Sequence, residues 1–423
     1  MINLRQPPLA SLICLIAILC PAAAPAQDAR DRLDALTHAS IFTPRAVAQS
    51  DIVKGPDFGA GQLPLPFNAR VTCEFDQPGE EGGGNTPKFD CHLLRVVSPA
   101  GRARVAARGK GEGAVKVKFS PDNREVYAEV AATRLFWALG FYADAMHPVR
   151  LECPNCPEDP MKGEGPRGTR MFPEAVIERK FPGKAMEEAG KEDQGWSWKE
   201  FESVVRPVHV KDGLKLLAAF VVHGDNKPEQ QRLSCETIRE DRTTQPARVT
   251  CVTPRLLIQD LGATFGGGGR LTRPESAKMN LEEWSGKQVW KRVGTGQPGG
   301  VACQAQLPKS LTAKDGLDDP EISEEGRRFL AGLLCQLSDK QIDDLFRVAR
   351  VAEMPDYRNP DGSFKAGFDE ADVIRQWAQA FKRKREEVAG GRCTWQSQPA
   401  NLAAIDNPAR LRKVPNYCTA RLH

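Results

Sequence analysis

The first 26 residues have the pattern of a removable secretory signal, and this pattern determines which covalent constraints the rest of the chain can use. Arg5 precedes an apolar run from Leu9 to Cys20, and Ala24 and Ala26 stand at the two positions that a signal peptidase reads. The run of about twelve residues is shorter than the roughly twenty that a membrane-spanning helix needs. We therefore expect an exported protein, periplasmic or extracellular, without a membrane span.

Export to an oxidising compartment predicts that the remaining cysteines form disulfides. Of the twelve cysteines, Cys14 and Cys20 belong to the signal, which leaves the even number of ten. An even set in an exported chain predicts a disulfide framework, although the sequence does not determine its connectivity. Two candidate pairs bracket segments that look like hairpins, and a third candidate has Cys-x-x-Cys spacing: Cys73 with Cys91, Cys235 with Cys251, and Cys153 with Cys156.

The Cys-x-x-Cys pair has two alternative interpretations. A redox-active thiol pair is one, and it would require a reactive thiol of low pKa in an exposed turn. Half of a zinc site is the other, but no second pair at that spacing exists in the sequence. No thioredoxin-like βαβ pattern surrounds Cys153 and Cys156 either, so a structural disulfide is the favoured interpretation.

The charge balance of the mature chain argues against some partners. Without Arg5 the chain has 58 basic and 55 acidic residues, a net charge of about +3. This balance does not favour a nucleic-acid partner selected by overall charge. Two locally basic stretches, Arg102 to Lys110 and Lys382 to Arg385, are predicted to be solvated faces.

The order of periodic segments predicts an α+β protein, with strands first and helices later. Alternating patterns predict strands at Ala69 to Phe75, Lys88 to Val97 and Ala114 to Phe119. An amphipathic helix is predicted from Asn123 to Leu139, with Gly140 as its C-terminal cap. Further strands are predicted around 143–151 and 175–179, and helices around 198–205, 212–222, 324–337, 339–352 and 371–389.

Two short motifs indicate the chemistry. The run His223-Gly224-Asp225-Asn226-Lys227-Pro228-Glu229-Gln230 resembles the catalytic loop H-R-D-L-K-P-E-N of protein kinases, and Asp260-Leu261-Gly262 resembles their D-F-G. Upstream, Lys118 ends a predicted strand and Glu125 or Glu129 lies on the next helix, in the order that the kinase fold requires. The segment 128–141 also resembles the corresponding helix of secreted Golgi-type kinases and of the phosphatidylinositol-kinase and HipA-like branch. In that resemblance Glu129 is preferred over Glu125.

The resemblance implies a role for each of these residues. Asp225 would accept or orient the proton of the attacking hydroxyl, and Lys227 would reach the transferred phosphate. Gln230 and Asp260 would hold a divalent metal. Further contacts to the nucleotide would come from Lys118, paired with Glu129, and from the glycine turn Gly82, Gly83 and Gly84, whose backbone amides can approach phosphate oxygens. The implied cofactor is ATP with Mg or Mn.

The same resemblance implies a two-lobed protein-kinase-like fold with a strand-rich N-lobe, one long helix and a helix-rich C-lobe. The predicted boundaries are 1–26 for the signal peptide, 27–64 for an N-terminal lead-in, 65–182 for the N-lobe with a cysteine-containing insertion at 151–172, 183–390 for the C-lobe and 391–423 for a C-terminal tail. Gln230 replaces the usual metal-binding Asn, Leu261 replaces Phe, and no A-P-E motif follows.

Three functions remain open at this point. The first is an exported phosphotransferase that acts on an unidentified protein or small-molecule acceptor. The second is a kinase-like binding or scaffold protein without catalysis. The Gln230 replacement favours it, and it is disfavoured by the joint presence of Lys118, Glu129, Asp225, Lys227 and Asp260. The third is a thiol–disulfide enzyme that uses the Cys-x-x-Cys pair.

Overall fold

The computed structural model describes residues 29–58, 62–79, 86–105, 113–119, 124–186, 195–243, 248–268, 278–291, 303–308 and 315–390. The predicted signal, the glycines Gly82, Gly83 and Gly84, and the tail 391–423 lie outside the described residues. Within the described residues, the fold is a mixture of β-sheets and eight α-helices. No helix in this part of the chain is long and apolar enough to cross a membrane.

The first half contains a seven-stranded sheet whose five central strands close into a ring. Their hydrogen-bonded order is β1-β2-β4-β7-β5, β3 pairs with β2, and β6 pairs with β5. The closing pair is β1 with β5, which run parallel, with Ala69 opposite Val149 and Val71 opposite Leu151. The strands are β1 (Ala69–Pro78), β2 (Lys88–Val97), β3 (Ala103–Val105), β4 (Val115–Lys118), β5 (Ala145–Cys156), β6 (Gly168–Phe172) and β7 (Val176–Arg179).

Strand alternation determines which side chains fill the ring. Because successive residues of a strand point to opposite faces, every second residue of each strand lies inside. The interior side chains form one apolar cluster that includes Phe89, Val117 and Ile177. The disulfides Cys73–Cys91 and Cys153–Cys156 belong to the same cluster, and both are buried.

One helix packs against the outside of the ring and is buried on all sides. It is α2 (Glu125–Leu139), and 14 of its 15 residues are buried. The prediction of an amphipathic helix was therefore wrong in one respect, because no face of α2 is left for water. Residues 29–58, the N-terminal segment, cover the side of α2 away from the sheet. There the Arg134 Nη1 donates to the Ile52 carbonyl at 2.8 Å. The helix ends at Gly140, whose φ of 96° is the left-handed conformation that a cap glycine supplies.

The N-terminal segment begins with α1 (Ala29–His38) and continues through a short 3-10 turn (Val47–Gln49). It contacts both halves of the chain. Arg32 forms an ion pair of 2.7 Å with Glu200, and the Gln341 Nε2 donates to the Val47 carbonyl at 2.8 Å. Thr43 N also donates to the Gly140 carbonyl at 2.8 Å, which ties the segment to the end of α2.

The second half is mostly helical around an aromatic core. Trp284 and Trp377 stack with their ring centres 5.9 Å apart, and Phe346 lies 5.4 Å from Trp377. The helices are α3 (Trp198–Val204), α4 (Val208–Phe220), α5 (Leu281–Gly286), α6 (Glu324–Leu334), α7 (Asp339–Val348) and α8 (Glu370–Ala389). The strands are β8 (Lys184–Ala185), β9 (Gln231–Cys235), β10 (Ile238–Asp241), β11 (Arg248–Cys251), β12 (Pro254–Ile258), β13 (Cys303–Gln304) and β14 (Glu321–Ile322).

The basic stretch 382–385 of α8 is only in part the solvated face that was predicted: Arg383 is exposed, but two other cations are not. Lys384 and Arg385 are both buried. The Lys384 Nζ donates to the Lys287 carbonyl at 2.6 Å, and the Arg385 Nη1 donates to the Leu337 carbonyl at 3.0 Å. Burial lowers the pKa of Lys384 to about 8. These two cations satisfy backbone carbonyls at helix ends, a use that a run of charges in the sequence does not reveal.

The third disulfide lies in the second half of the chain. Cys235 and Cys251 are joined with their Cα atoms 5.8 Å apart, and they close the hairpin of β10 and β11 at its base. Cys73–Cys91, Cys153–Cys156 and Cys235–Cys251 are the pairs that the sequence analysis favoured. Cys335 is also disulfide-bonded and buried.

Candidate active site

The centre of the candidate site is the buried ion pair between Lys118 and Glu129. Lys118 is the last residue of β4, and strand alternation points it out of the ring toward α2. Its Nζ lies 2.6 Å from the Glu129 Oε1 and 3.5 Å from the Glu178 Oε2. Glu178 reaches the same place because β7 pairs with β4 and Glu178 shares the outward face with Lys118. Lys118 therefore forms ion pairs with two buried carboxylates from two different elements.

The electrostatics of this group depend on the balance between burial and charge. Burial alone would lower the pKa of Lys118, but the carboxylates of Glu129, Glu178, Asp260 and Glu125 outweigh it and hold that pKa well above its usual value. Burial also raises the pKa of Glu129, and the neighbouring carboxylates add to this against the effect of Lys118. Lys118 is thus firmly charged, while the carboxylates around it compete for one cation.

Three of these carboxylates converge closely enough to bind a divalent cation. Ligand oxygens of Glu125, Glu129 and Asp260 all lie within 4.8 Å of one another. Glu129 is fully buried, and its second oxygen, Oε2, has no hydrogen-bond partner. A buried carboxylate oxygen without a partner is costly, so an ion or a proton at this point would satisfy it. Carboxylate oxygens are also the ligands that Mg²⁺ and Mn²⁺ prefer.

The loop that carries Asp260 is held by its own backbone and by a glycine. The Gly262 amide donates to the Asp260 Oδ1 at 3.2 Å. A Cβ atom at Gly262 would lie 2.0 Å from the Glu125 Cγ, so no larger residue fits beside Glu125. Lys278 forms an ion pair with the other end of Glu125. Burial would raise the pKa of Asp260, but the charge of Lys118 and the hydrogen bonds of Asp260 with the Gly262 amide and the Glu129 side chain hold that pKa below its usual value.

The second loop, from His223 to Gln230, begins where α4 ends. Val222 has a φ of 54°, an unusual conformation for a β-branched residue, and it turns the chain sharply into the loop. Backbone bonds tie this turn to the chain beyond Asp260: the Gly224 amide donates to the Ala263 carbonyl at 2.8 Å, and the Phe265 amide donates to the Val221 carbonyl at 2.7 Å. These two backbone hydrogen bonds hold the two loops next to each other.

Asn226 fixes the middle of the His223 to Gln230 loop from inside. Its Nδ2 donates to the His223 carbonyl at 2.7 Å, and its Oδ1 accepts from the Leu317 amide. The indole of Trp198 donates to the Asn226 carbonyl at 2.9 Å. Asn226 is almost fully buried, so it positions the loop and is not available to a ligand.

Asp225 lies at the accessible end of this loop. Its Oδ2 accepts from the Gln230 Nε2 at 3.3 Å and lies 3.4 Å from the Lys227 Nζ. Its Oδ1 is buried without a hydrogen-bond partner. The side chains of Asp225 and Lys227 are each 28% exposed, so both can be reached from solvent. A partly exposed carboxylate with a lysine beside it suits the positioning of a hydroxyl group.

Gln230 links the two loops. The loop before β9 ends at Gln230, and β12 ends just before Gln259 and Asp260, with Ile258 opposite Gln231. The Gln259 amide continues this ladder by donating to the Gln230 carbonyl at 3.0 Å. Gln230 was predicted as a metal ligand. In the structure its amide nitrogen faces Asp225, and the carboxylates that converge on Asp260 are instead Glu125 and Glu129.

His223 is buried between the two loops. Burial lowers the pKa of His223 to about 4, against the opposing effects of the Asp225 and Asp260 charges and of a hydrogen bond with the Ala263 backbone. The imidazole is therefore neutral at physiological pH. It fills space under the loop.

Sequence reasoning missed Glu178 and Lys278. Glu178 lies on the last strand of the ring and has no motif around it, yet Lys118 and Lys180 both contact it. These cations hold the pKa of Glu178 far below its usual value although burial opposes them. The only available signal was the register of β7 against β4, which the sequence does not give.

The Cys-x-x-Cys pair does not have the surroundings of a reactive thiol. Cys153 and Cys156 are disulfide-bonded and fully buried in the ring interior. Attack on a disulfide requires access to one of its sulfur atoms. This burial speaks against the thiol–disulfide interpretation and supports a structural one.

Fold and site together define a mixed α+β protein with a buried lysine–carboxylate site at the edge of a closed strand ring. No protein-family model matches the chain. No curated protein matches it. The chain is similar to a solved structure, the crystal structure of a Helicobacter pylori proinflammatory kinase CtkA. The sequence identity is 10%, the TM-score is 0.31, and the match covers 74% of this chain and 92% of that chain.

Proposed function

We propose that this protein is an exported kinase-like phosphotransferase that binds ATP with Mg²⁺ or Mn²⁺ and transfers phosphate to an acceptor hydroxyl. The single observation that carries this proposal is the buried Lys118–Glu129 pair of 2.6 Å, next to the converging carboxylates of Glu125 and Asp260. A charged lysine held against a surplus of carboxylates is suited to phosphate oxygens bridged by a metal.

The chain's own residues fit a divalent cation. Glu125, Glu129 and Asp260 would hold it, because their oxygens converge and the Glu129 Oε2 lacks any other partner. A bound divalent cation would neutralise the charge of the nucleotide phosphates. Lys118 would then contact those phosphates while it remains paired with Glu129. Gln230 keeps its amide oxygen as a further candidate ligand.

The loop from His223 to Gln230 supplies the groups for the transfer itself. The hydroxyl oxygen of the acceptor forms a bond to the terminal phosphorus of ATP, and the bond from that phosphorus to its bridging oxygen breaks, which releases ADP. Asp225 accepts or orients the proton of the hydroxyl. Lys227, beside it, reaches the phosphate as it transfers. Both side chains are partly exposed, as an external acceptor requires.

The proposal includes a two-lobed arrangement and export. The strand ring with α2 would be the N-lobe, and the helical second half would be the C-lobe, with the cluster between them. Three disulfides, each between half-cystines within about twenty residues of one another, support an oxidising compartment. The acceptor is a protein or a small molecule that carries a hydroxyl group.

Thermal stability in the presence of nucleotide and metal tests the binding step. A ligand that binds only the folded state raises the melting temperature. We expect ATP with Mg²⁺ or Mn²⁺ to raise it for the mature chain and for the exposed control Asp318→Asn, and not for Asp260→Asn. The same shift in Asp260→Asn would contradict the proposed site.

The competing candidate is a kinase-like binding protein without catalysis. It is favoured by the amide of Gln230, which bonds Asp225 where an unencumbered base would be expected. Incubation of the mature chain with labelled ATP and hydroxyl-bearing proteins distinguishes the two. Label transfer that Asp225→Asn abolishes, with the thermal shift retained, supports the enzyme. A thermal shift without any transfer supports the binding protein.

A further inference from the structure

The ion pair between Lys278 and Glu125 lies directly beside the carboxylate cluster. The Lys278 Nζ contacts the Glu125 Oε2. The other oxygen of that carboxylate, Oε1, is turned toward the loop of Asp260, since a Cβ atom at Gly262 would lie 3.1 Å from it. The Gly262 amide in turn donates to the Asp260 Oδ1 at 3.2 Å. The carboxylate of Glu125 therefore stands between an ammonium group on one side and the Asp260 loop on the other.

The backbone beside Lys278 is tied to the chain that follows Asp260. The Met279 amide donates to the Thr264 carbonyl at 2.9 Å, and the Met279 side chain is fully buried. The Asn280 amide donates to the Phe265 carbonyl at 2.8 Å, and Asn280 is the N-cap of α5. The ammonium group of Lys278 can therefore leave Glu125 by rotation of its own side chain, while the backbone stays in place.

Lys278 is more accessible to water than Lys118, the other lysine that contacts a carboxylate of the proposed metal site. Its side chain is 24% exposed, whereas that of Lys118 is 9% exposed. A displaced ammonium group must be hydrated again, and this costs less where water already reaches it. Lys118 is in addition paired with both Glu129 and Glu178. A competing cation therefore displaces Lys278 at a lower cost than Lys118.

The net charge of the cluster determines how strongly it attracts a free divalent cation. Four carboxylates act on Lys118, those of Glu125, Glu129, Glu178 and Asp260. Three lysines each contact at least one of these carboxylates, namely Lys118, Lys180 and Lys278. Their charges offset much of the attraction that a free cation would feel. The repulsion by Lys278 is the most direct, because a cation on Glu125 would share one carboxylate with it.

We propose that Lys278 competes with the divalent cation for Glu125 and prevents the carboxylate cluster from binding the cation before a nucleotide is present. This inference rests on the cation site of the proposed function and adds the regulation of that site. Without nucleotide, Lys278 neutralises Glu125. The phosphates of a bound nucleotide add negative charge beside the cluster, which favours a doubly charged ion over a single ammonium group. Lys278 then turns toward solvent and leaves Glu125 to the cation.

Binding of Mn²⁺ alone to the mature chain tests this competition, with the free ion followed by electron paramagnetic resonance. Lys278→Met removes the charge and keeps most of the side chain, so it should bind Mn²⁺ at least about tenfold more tightly than the unmodified chain. Lys278→Arg keeps the charge and should stay within about threefold of the unmodified chain. Lys291→Met is the matched control, because Lys291 is paired with Asp319, outside the cluster, and the affinity should not change.

The double variant Lys278→Met with Asp260→Asn tests where the additional binding occurs, and it should lose the gain. A gain that persists in the double variant places the ion elsewhere and overturns the proposal. The melting temperature of each variant shows whether it is folded. Lys278→Gln, which also lacks the charge, provides the same comparison if Lys278→Met does not fold.

Failure of this inference can be told apart from failure of the proposed function. Equal Mn²⁺ binding by Lys278→Met and the unmodified chain, or weaker binding by Lys278→Met, overturns the competition. The proposed function then still stands if ATP with Mn²⁺ raises the melting temperature. If no form of the chain binds Mn²⁺ and the nucleotide gives no thermal shift either, the cation site itself is absent and both proposals are wrong.

Discussion

Lys118 shows how one residue can hold several elements together. It is buried, its Nζ contacts Glu129 on α2 and Glu178 on β7, and the charge of Asp260 acts on it as well. A buried ion pair contributes little net stability, because the removal of both charges from water costs nearly as much as their attraction supplies. Removal of one partner alone is destabilising, because the charge of the other partner is then left uncompensated.

We expect Lys118→Met to be strongly destabilising, by about 3 kcal/mol or more, because Glu129 would remain buried without its cation. Adding Glu129→Gln to that variant should recover most of the loss. Urea unfolding measures both. Lys116→Met is the matched control, since Lys116 has the same outward direction on β4 and is more exposed. The prediction fails if Lys118→Met costs no more than the control.

His223 gives the site a dependence of stability on pH. Burial lowers its pKa from 6.5 in the ordinary residue to about 4 in the fold. Between these two pKa values, His223 is protonated in the unfolded chain and neutral in the folded chain. The free energy of unfolding is therefore highest above about pH 6.5 and decreases as the pH falls toward 4. His223 alone accounts for about 3 kcal/mol over that interval.

Unfolding free energies at several pH values between these limits check this assignment. His223→Phe should show a smaller decrease on acidification than the unmodified chain, although its stability at neutral pH can differ. His38→Phe replaces an exposed histidine and should keep the full decrease. Equal slopes for His223→Phe and the unmodified chain would contradict the buried, neutral state of His223.

Among the elements, the loop with Asp260 fits tightly against helix α2. The atom that Gly262 lacks would lie 2.0 Å from the Glu125 Cγ, closer than any real contact. Glu125 is held from its other end by Lys278. The fit determines how near Glu125 and Asp260 can come, and thus whether both can bind the same cation.

Gly262→Ala should cost about 1–3 kcal/mol through this overlap and should weaken the thermal shift with metal and nucleotide. Gly286→Ala is the control, because a Cβ there meets nothing within 4 Å. Truncation of the opposing side chain, in Gly262→Ala with Glu125→Ala, should recover part of the stability. If Gly262→Ala and Gly286→Ala were equally stable, the close approach of Glu125 would be wrong.

The sequence predicts elements well where a single local rule decides them. Helix α2 ends at Leu139 as expected because Gly140 supplies the left-handed cap, and β2 has the predicted limits Lys88 to Val97. Strand β3 is three exposed residues, and β6 lies in a segment rich in proline and glycine, so neither has a pattern to detect. The complete burial of α2 depends on the N-terminal segment that covers it. That segment is distant in sequence, so the hydrophobic periodicity of α2 does not reveal it.

The residues of the candidate site also divide into those that a local motif predicts and those that depend on long-range contacts. Motif spacing selected Asp225, Asp260 and the pair Lys118 with Glu129. The structure pairs Lys118 with Glu129 and brings Asp260 near Glu129, and the roles of these residues stay predictions. Glu178 and the partner of Gln230 follow from strand register and side-chain direction, which are long-range properties. The glycine turn Gly82, Gly83 and Gly84 stays a prediction.

At the scale of the whole molecule, residues 29–58 connect the two halves of the chain. Gln341 on α7 is a principal contact: its Nε2 donates to the Val47 carbonyl at 2.8 Å and to the Ser50 carbonyl at 2.9 Å, while its Oε1 caps α7 through the Ser338 amide. The segment also covers α2 and pairs Arg32 with Glu200. Its removal would expose apolar surface on both halves.

Gln341→Glu separates the two roles of this side chain. The glutamate keeps the helix cap and loses the donor to Val47 and Ser50. The Val47 carbonyl still accepts from the Ser50 amide, so the loss falls on the Ser50 carbonyl, at a cost of about 1–3 kcal/mol. We expect a lower melting temperature and faster proteolytic cleavage within 29–58. Gln336→Glu, whose amide bonds only within its own helix region, is the control. Unchanged cleavage in Gln341→Glu would show that other contacts hold the segment.

The parallel pairing of β1 with β5 also imposes an order on folding. Ala69 and Val149 are joined across about 80 residues, and antiparallel neighbours fill the interval between them. A chain that emerges N-terminus first presents β1 with one side unpaired until β5 has followed it. The ring cannot close on a partly emerged chain, so the strands before Val149 remain open to chaperones. The topology therefore delays stable folding of the ring until most of the first half is available.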